Sequence, residues 1–364
     1  MSGGADKRGE SFLQKLAAEG YQPCDPAILQ PAAVFLGQSG EDMRGRLLLT
    51  SDGTGEFCLR PEFTIPVSLA YLASPQAGSP AGFCAYGPVF RQTPGAAPEF
   101  LQAGLESFGR ADREAADAET LGLALEAAGA AAQDWRIHIG DAGLIAALLE
   151  KLQLPPVWLR RIRGGLAKGQ TIAQILTPVA ESSDNDGVLK ALNGVGAADA
   201  QRLVEDLLKI AGISALGGRS AGEIAKRFLE QAELRSGAGL DEAKRVLLEK
   251  FFAIEGHPDK VSAELRALFL GAGLDLAAEM DSFDQRLNFI AARGVDLARI
   301  DFSAGFARNL DYYTGFVFEA GAPDAEPAIG GGRYDRLLAT LGAKTDIPAV
   351  GAAIWINRLK GDKA

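Results

Sequence analysis

The run RPEFT contains two side chains that could bind a small polar molecule. Glu62 and Thr64 lie two positions apart at the end of a strand-like segment. In extended backbone they would share one face. A carboxylate beside a hydroxyl suits an ammonium group. The alternative is a solvated pair at the edge of a sheet.

The run EFLQAGLESFG repeats this spacing with other side chains. Gln102, Gly104 and Glu106 would lie on one face of a strand. The other face, toward the core, would carry Leu101, Ala103 and Leu105. An amide, a carboxylate and a glycine that leaves space fit a small polar ligand, although an ordinary solvent-facing strand has the same pattern.

Two further runs, GFARNLDYYTGFVFE and GGGRYD, lie close together near the end of the chain. Arg308 could bind a carboxylate, or it could be a surface residue beside a structural tyrosine pair. The three glycines at 330–332 permit close approach of a ligand to the backbone, or a tight turn. We interpret this glycine run as a turn between two strands.

Strand patterns in the first zone, from about residue 11 to 110, must position these side chains. The runs 46–50 and 56–59 flank the turn 51–55 and predict a hairpin. The runs 83–91 and 99–108 predict a second pair of strands.

The second zone, about 111–294, is mainly helical, and the third, 300–359, returns to strands. Strands at both ends of the chain indicate one mixed sheet with a helical insertion, at about residues 154–286, in an α+β fold. The predicted helices are 142–152, 199–211 and 240–252, and the predicted strands are 135–140, 316–320 and 350–356.

Composition narrows the class of protein. The chain has 364 residues, of which 47% are hydrophobic and 23% charged, enough for one large core or for a core with a second helical subdomain. The polar start and the absence of any apolar run of about 20 residues predict a cytoplasmic protein with no membrane span. The net charge of -10 counts against nucleic acid as a partner. The densest basic group, which we interpret as a solvated helix face, is Arg160, Arg161, Arg163 and Lys168.

Cysteine and histidine give no sign of a metal or cofactor site. Cys24, Cys58 and Cys84 are widely spaced, which favours three reduced thiols over disulfides or a metal site. His138 and His257 are isolated in sequence. We expect no metal and no cofactor.

Taken together, these segments resemble class II aminoacyl-tRNA synthetases, and histidyl-tRNA synthetases in particular. The runs YGPVFR and EFLQAGLESFG resemble motif 2, and AVGAAIWINRL resembles motif 3. NLDYYTGFVFE and GGGRYDRLL resemble the histidine-specific signatures, and residues 20–36 are compatible with motif 1, the dimer-forming element. The resemblance implies a single core with a mainly antiparallel sheet flanked by helices.

The resemblance also implies a histidine pocket. Glu62, Thr64 and Gln102 would hold the amino group, and Arg308 would meet the carboxylate. Glu106 and Tyr313 would read the imidazole, while Arg91 matches the arginine that binds the ATP α-phosphate in synthetases. The residues that we expect to bind histidine are Glu62, Thr64, Arg91, Gln102, Glu106, Arg308, Tyr312, Tyr313 and Tyr334.

The nucleotide half of the synthetase site departs from the family pattern. The loop 92–98 lacks the glutamate and arginine that synthetases use on ATP and the acceptor end. Trp355 occupies a position that synthetases keep small where adenine lies, and Asn357 replaces the usual acid. The chain stops shortly after Arg358, so we also expect that the anticodon-binding domain is absent.

A histidine pocket without adenylation chemistry would act as a sensor. This arrangement resembles the family of regulatory subunits of ATP phosphoribosyltransferase, the first enzyme of histidine biosynthesis. The resemblance implies a homodimer, a short-form catalytic subunit as partner and L-histidine as effector, with tRNA unfavoured. Two alternatives stay open: a ligase that adenylates histidine, for which Arg91, Arg308 and Arg358 are kept, and a scaffold with a relic pocket.

Overall fold

The computed structural model describes residues 7–177, 239–307 and 310–359. Between them it also describes residues 202, 205–206, 210, 215–216, 219–220, 226–227, 230–231, 233–234 and 237. The chain divides into two compact units, one made of Met1–Leu148 with Ala253–Ala364 and the other of Leu149–Phe252. Arg308 and Asn309 lie outside the described residues.

The strands are β1 Tyr21–Pro23, β2 Leu29–Pro31, β3 Leu49–Ser51, β4 Glu56–Leu59, β5 Ala81–Phe90, β6 Glu99–Phe108, β7 Arg136–Asp141, β8 Ala215–Leu216, β9 Arg219–Ser220, β10 Glu255–Gly256, β11 Ile300–Ser303, β12 Phe316–Gly321, β13 Ile329–Arg333 and β14 Ala349–Trp355. Over the described residues, the first unit contains a large sheet in the order β1-β5-β6-β14-β13-β12-β7-β11-β10. The pairs β1–β5 and β7–β11 are parallel and the other pairs antiparallel. A smaller sheet has the order β2-β4-β3.

The helices are α1 Lys7–Ala18, α2 Ala33–Arg44, α3 Thr64–Ala73, α4 Arg113–Ala128, α5 Ala142–Lys151, α6 Pro156–Ala167, α7 Ile172–Leu176, α8 Glu242–Phe252, α9 Pro258–Gly271, α10 Ala277–Ala292 and α11 Leu337–Thr340. Helices α6 to α8 and the β8–β9 pair belong to the second unit. Among the described residues, none of these helices has the length and apolarity to cross a bilayer.

The register of the large sheet sorts its side chains onto two faces. In β6, Gln102, Gly104 and Glu106 point to one face, which we call the pocket face. Ala103 and Leu105 point to the other face and are fully buried, as the alternation predicts. Directly paired residues of antiparallel strands lie on the same face, so the pairing of Glu106 with Gly351 extends the pocket face onto β14.

An aromatic core covers one end of the pocket face. Tyr71 of α3 stacks on Phe108 of β6 with ring centroids 4.4 Å apart. Phe63 and Tyr334 belong to the same buried cluster. The polar side chains of Gln102 and Glu106 on this face are also buried.

Helices α4 and α10 pack on each other and cover the opposite face. They bring Asp117 of α4 and Arg286 of α10 together at 2.8 Å, and Arg333 of β13 pairs with the other oxygen of Asp117 at 2.6 Å. Arg286 also pairs with Asp141 at 2.9 Å. These charges are buried, so each depends on its partners.

Most of the predicted elements are confirmed. The two predicted strand pairs form as β3–β4 and β5–β6, and the predicted strands 135–140, 316–320 and 350–356 correspond to β7, β12 and β14. The predicted helices 142–152 and 240–252 correspond to α5 and α8, whereas most of 199–211 lies outside the described residues.

Two local expectations were wrong. The glycine run 330–332 is not a turn but the middle of β13, because its bare backbone lets neighbouring groups approach closely. Glu62 and Thr64 do not extend a strand, since β4 ends at Leu59 and α3 begins at Thr64.

The second unit ends at Phe252, whereas the helical insert was expected to run to about residue 286. Helices α9 and α10 follow that unit in sequence and belong to the first, where α10 packs on α4.

Replacing Asp117 by alanine should strongly destabilise the protein. Two buried guanidinium groups would lose a shared carboxylate, which typically costs about 3–5 kcal/mol. Urea unfolding would measure the loss. The control is Asp281→Ala, which removes an exposed partner of Arg266 and should cost about 0–1 kcal/mol. Equal losses in the two variants would contradict the role given to the buried pair.

Candidate functional site

A buried carboxyl group and a buried phenol form the centre of the candidate site. The Tyr334 hydroxyl donates a hydrogen bond to Oε2 of Glu106, and both residues are buried. Glu106 lies on β6 opposite Gly351, where any side chain would overlap its carboxyl group. Glycine at 351 therefore makes the space that Glu106 occupies.

Burial sets the protonation of this carboxyl group. It raises the pKa of Glu106 to about 8, and the nearby charge of Glu62 adds to the increase. Hydrogen bonds from Tyr334 and Thr64 partly oppose this rise in the pKa of Glu106. A carboxyl group poised near neutral pH can both donate to and accept from an imidazole, which itself titrates near neutrality.

Two more tyrosines line the site from the turn before β12. Tyr312 stacks on Tyr334 with centroids 5.6 Å apart and meets Tyr313 edge-on at 4.9 Å. The Tyr313 ring lies over Gly332, where a Cβ would come within 2.8 Å of it. The glycines of β13 thus let a tyrosine lie directly on the sheet.

Glu62 approaches the site from the segment between β4 and α3. Its carboxylate accepts hydrogen bonds from the backbone N–H groups of Thr64 and, at 3.0 Å, Ile65, so it caps the start of α3. Desolvation raises the pKa of Glu62, while these hydrogen bonds and the positive charge of Arg91 lower it. The Thr64 hydroxyl lowers the pKa of both Glu62 and Glu106, which indicates that it lies between the two carboxyl groups.

Gln102 extends the pocket face away from Glu106. The two residues are four positions apart on β6, a rise of about 13 Å along a strand. Gln102 is buried and pairs directly with Trp355 of β14, so the indole lies on the pocket face. That Trp355 fills the position where adenine lies in synthetases stays a prediction.

Arginines surround this end of the site. The Arg91 guanidinium lies 5.0 Å from the centroid of the Phe100 ring, and that of Arg358 lies 4.8 Å from the Trp355 ring. Burial and the positive charges of Arg46 and Arg358 lower the pKa of Arg91 to about 10. Glu62 opposes this decrease in the pKa of Arg91.

Arg358 is engaged by groups outside the pocket. It pairs with the Glu326 carboxylate at 2.6 Å and donates to the carbonyl of Pro327 at 2.7 Å. A side chain held in this way over an indole is a poor candidate for binding a nucleotide phosphate.

The structure brings most of the expected residues together. Around Glu106 lie Glu62, Thr64, Tyr312, Tyr313 and Tyr334. Gln102 and Arg91 lie toward the other end of the pocket face, and the expected carboxylate partner Arg308 lies outside the described residues. Among the described residues, no group of three or more acidic, histidine or cysteine side chains could hold a metal.

Several supporting residues could not be recognised in the sequence. Gly351 makes space for Glu106, and Arg333 anchors the strand that ends beside Tyr334. The GGGRY run contains both a ligand-side tyrosine and its anchor, but only the contact with Asp117, 216 positions earlier, shows which role Arg333 has.

Comparison with known proteins gives a consistent family. The chain matches the family model described as histidyl-tRNA synthetase over residues 6–214 and 199–359. It is 40% identical over 361 residues to an ATP phosphoribosyltransferase regulatory subunit of Mesorhizobium japonicum, covering 96% of this chain and 95% of the relative. A relative with the same name from Brucella anthropi is 38% identical, with 92% and 91% covered.

Solved structures show the same fold. A structure described as an ATP phosphoribosyltransferase regulatory subunit/histidyl-tRNA synthetase from Bacillus halodurans aligns with a TM-score of 0.63 at 18% identity, covering 97% of this chain and 77% of that one. A histidine–tRNA ligase subunit from Alicyclobacillus acidocaldarius aligns with a TM-score of 0.57 at 25% identity, covering 99% and 94%. The class II synthetase-like α+β fold expected from the sequence is confirmed.

Glu106→Gln should change how stability depends on pH. Folding raises the pKa of Glu106 from its ordinary 4.5 to about 8. The stability that goes with the protonated group is therefore present in full below about pH 4.5 and is lost as the pH rises through about 8.

Glutamine cannot ionise, so only the wild type loses this stability as the pH rises. The free energy of unfolding of the variant, relative to that of the wild type, should therefore increase between pH 5 and pH 8 by on the order of 1–3 kcal/mol. Chemical denaturation at several pH values would measure the difference. The matched control is Glu99→Gln, an exposed position on the same strand. Parallel pH curves for Glu106→Gln and the wild type would contradict the buried, protonated state of Glu106.

Proposed function

Because the chain belongs to the family of ATP phosphoribosyltransferase regulatory subunits, which share the synthetase fold, we propose that it is a non-catalytic regulatory subunit that binds L-histidine. It would activate a short-form catalytic subunit in the first step of histidine biosynthesis and reduce that activity when histidine binds. The observation that supports this most is the buried Glu106–Tyr334 pair on the pocket face.

The proposed pocket matches histidine group by group. Glu106 and the Tyr313 hydroxyl would satisfy the two imidazole nitrogens, because one can accept and the other donate. Glu62, Thr64 and Gln102 offer oxygen acceptors to the ammonium group. Arg308 would bind the carboxylate. Arg91 adds positive charge toward the Gln102 end of the site.

This pocket offers few side chains that could bind ATP for adenylation. Trp355 lies on the pocket face where a small residue would leave room for a purine ring. Arg358 is held by Glu326 and Pro327, and the exposed loop 92–98 has no ionisable side chain. These features favour a sensor over a ligase and leave tRNA as an unfavoured partner.

Regulation requires that histidine bind the active and inhibited assemblies with different affinities. A coupling free energy of about 1–3 kcal/mol is typical of such regulation and corresponds to a change in affinity of about 5- to 150-fold. The two assemblies must differ at the histidine pocket, because a ligand with equal affinity for both would shift nothing.

The small sheet offers a surface for the proposed homodimer. Ile28 and Leu29, which are adjacent at the start of β2, are 43% and 49% exposed. We call these two residues the apolar patch. Large exposed aliphatic side chains that cluster in this way are typical of protein–protein contacts.

Reconstitution with a short-form catalytic subunit tests the proposed regulation. The wild-type chain should raise the rate of phosphoribosyl-ATP formation, and L-histidine should reverse this effect. Glu106→Ala should still activate but lose the response to histidine, because the imidazole would lose its carboxyl partner. Glu99→Ala, an exposed position on the same strand, should behave as the wild type.

Full histidine inhibition with Glu106→Ala would reject the pocket assignment. If the wild-type chain fails to activate and instead supports histidine-dependent exchange of pyrophosphate into ATP, the ligase alternative is correct. The retained Arg91 guanidinium is the feature that favours that alternative.

The dimer proposal predicts that charge in the apolar patch weakens self-association. Leu29→Asp should shift the chain from dimer to monomer in sedimentation velocity experiments, because a carboxylate would be buried at the contact. Leu270→Asp places the same charge at an exposed leucine of α9 and should leave the dimer intact. A Leu29→Asp dimer of unchanged affinity would contradict the role of the patch.

A further inference from the structure

Arg60, directly before the Pro61-Glu62 segment, is a buried cation with an unusual set of partners. Its Nε donates to the carbonyl of Pro88 at 3.0 Å, and its Nη1 donates to the carbonyl of Pro26. Asp25 lies 3.6 Å away but is 93% exposed, so water screens its charge. Backbone carbonyls are therefore the main compensation for the buried charge, and burial lowers the pKa of the guanidinium.

The same guanidinium is packed between the sheet and the segment that carries Glu62. It lies 4.5 Å from the centroid of the Phe63 ring. Its Nη2 lies 2.9 Å from where a Cβ of residue 87 would be, so Gly87 leaves room for it. Gly87 pairs directly with Gln102, so Arg60 lies on the pocket face at the Gln102 end.

Phe63 packs against both the Arg60 guanidinium and the pocket face. Its Cβ lies 3.4 Å from where a Cβ on Gly104 would be, so the ring sits directly on the pocket face. Phe63 stands between Glu62 and Thr64, the two residues that bracket the start of α3. A shift of the Phe63 ring would move both side chains.

The backbone of Arg60 ties the same position to two other segments. Its N–H donates to the carbonyl of Ile28 at 2.8 Å, and its carbonyl accepts from the N–H of Phe90 at 3.0 Å. Ile28 is part of the apolar patch, and Phe90 precedes Arg91. Residue 60 is thus a junction between the patch, the end of β5 and the Glu62 segment.

Burying a charge costs desolvation free energy, and an apolar side chain of similar volume often gives a folded protein of equal stability. The guanidinium of Arg60, however, donates hydrogen bonds to the carbonyls of both Pro26 and Pro88, and these bonds hold it against the Phe63 ring. We propose that Arg60 is a positioning residue for the histidine pocket, holding Glu62 and Thr64 in place and joining them to the apolar patch. This inference rests on the proposed histidine-binding function.

Calorimetric titration of L-histidine into the full-length chain, well below the melting temperature of each variant, tests this role. Arg60→Lys keeps the positive charge and the aliphatic part of the side chain but cannot donate to both carbonyls at once. It should weaken histidine binding by about tenfold or more, and tenfold corresponds to about 1.4 kcal/mol of binding free energy. Arg60→Ala should bind more weakly still, and added methylguanidinium, but not methylammonium, should restore part of the affinity.

Two matched variants should keep the wild-type affinity. Arg44→Lys alters an exposed arginine that pairs with Glu56 at 2.7 Å in the small sheet. Asp25→Asn removes the screened carboxylate and leaves the carbonyl contacts of Arg60 intact.

If the wild type binds histidine and a folded Arg60→Lys binds it equally well, the positioning role is wrong while the proposed function stands. If Arg60→Ala does not fold, Arg60→Lys alone decides between these outcomes. If the wild type binds no histidine at all, it is the proposed function that fails.

Discussion

Asp117 holds two guanidinium groups inside the protein, and the geometry of the site depends on this arrangement. One oxygen binds Arg286 of α10 at 2.8 Å, and the other binds Arg333 at the end of β13 at 2.6 Å. Arg333 points to the helical face, so Tyr334, the next residue, can turn to the pocket face. The carbonyl of Arg333 also accepts from the N–H of Thr314 at 2.8 Å and so fixes the turn that carries Tyr312 and Tyr313. One buried carboxylate therefore sets the position of three tyrosines.

Desolvation is the second constraint, and it gives the pocket its chemistry. Glu106 sits on a central strand with glycine opposite and tyrosine above, and burial raises the pKa of Glu106 to about 8. Glu62 reaches the same space but is stabilised by two backbone N–H groups at the start of α3. Two carboxyl groups in different environments can take different roles: one can meet a neutral or protonated imidazole, and the other an ammonium group.

Local patterns predicted the parts of this site that depend on alternation and on family motifs. The spacing of Gln102, Gly104 and Glu106 correctly predicted one face of β6, because strand geometry alone determines which side chains share a face. The glycine run of β13 was misread, since glycine is rare inside strands and its use here depends on Tyr313, which approaches from another segment. Asp117 and Arg60 could not be assigned roles, because their partners lie far along the chain and only the folded structure brings them together.

The most direct test is a crystal structure of the chain with L-histidine. The imidazole should lie within hydrogen-bonding distance of the Glu106 carboxyl group and the Tyr313 hydroxyl. The ammonium group should meet Glu62, Thr64 and Gln102, and the indole of Trp355 should border the bound amino acid. Histidine bound elsewhere, with the Glu106–Tyr334 hydrogen bond undisturbed and no ligand beside it, would contradict the proposed sensor.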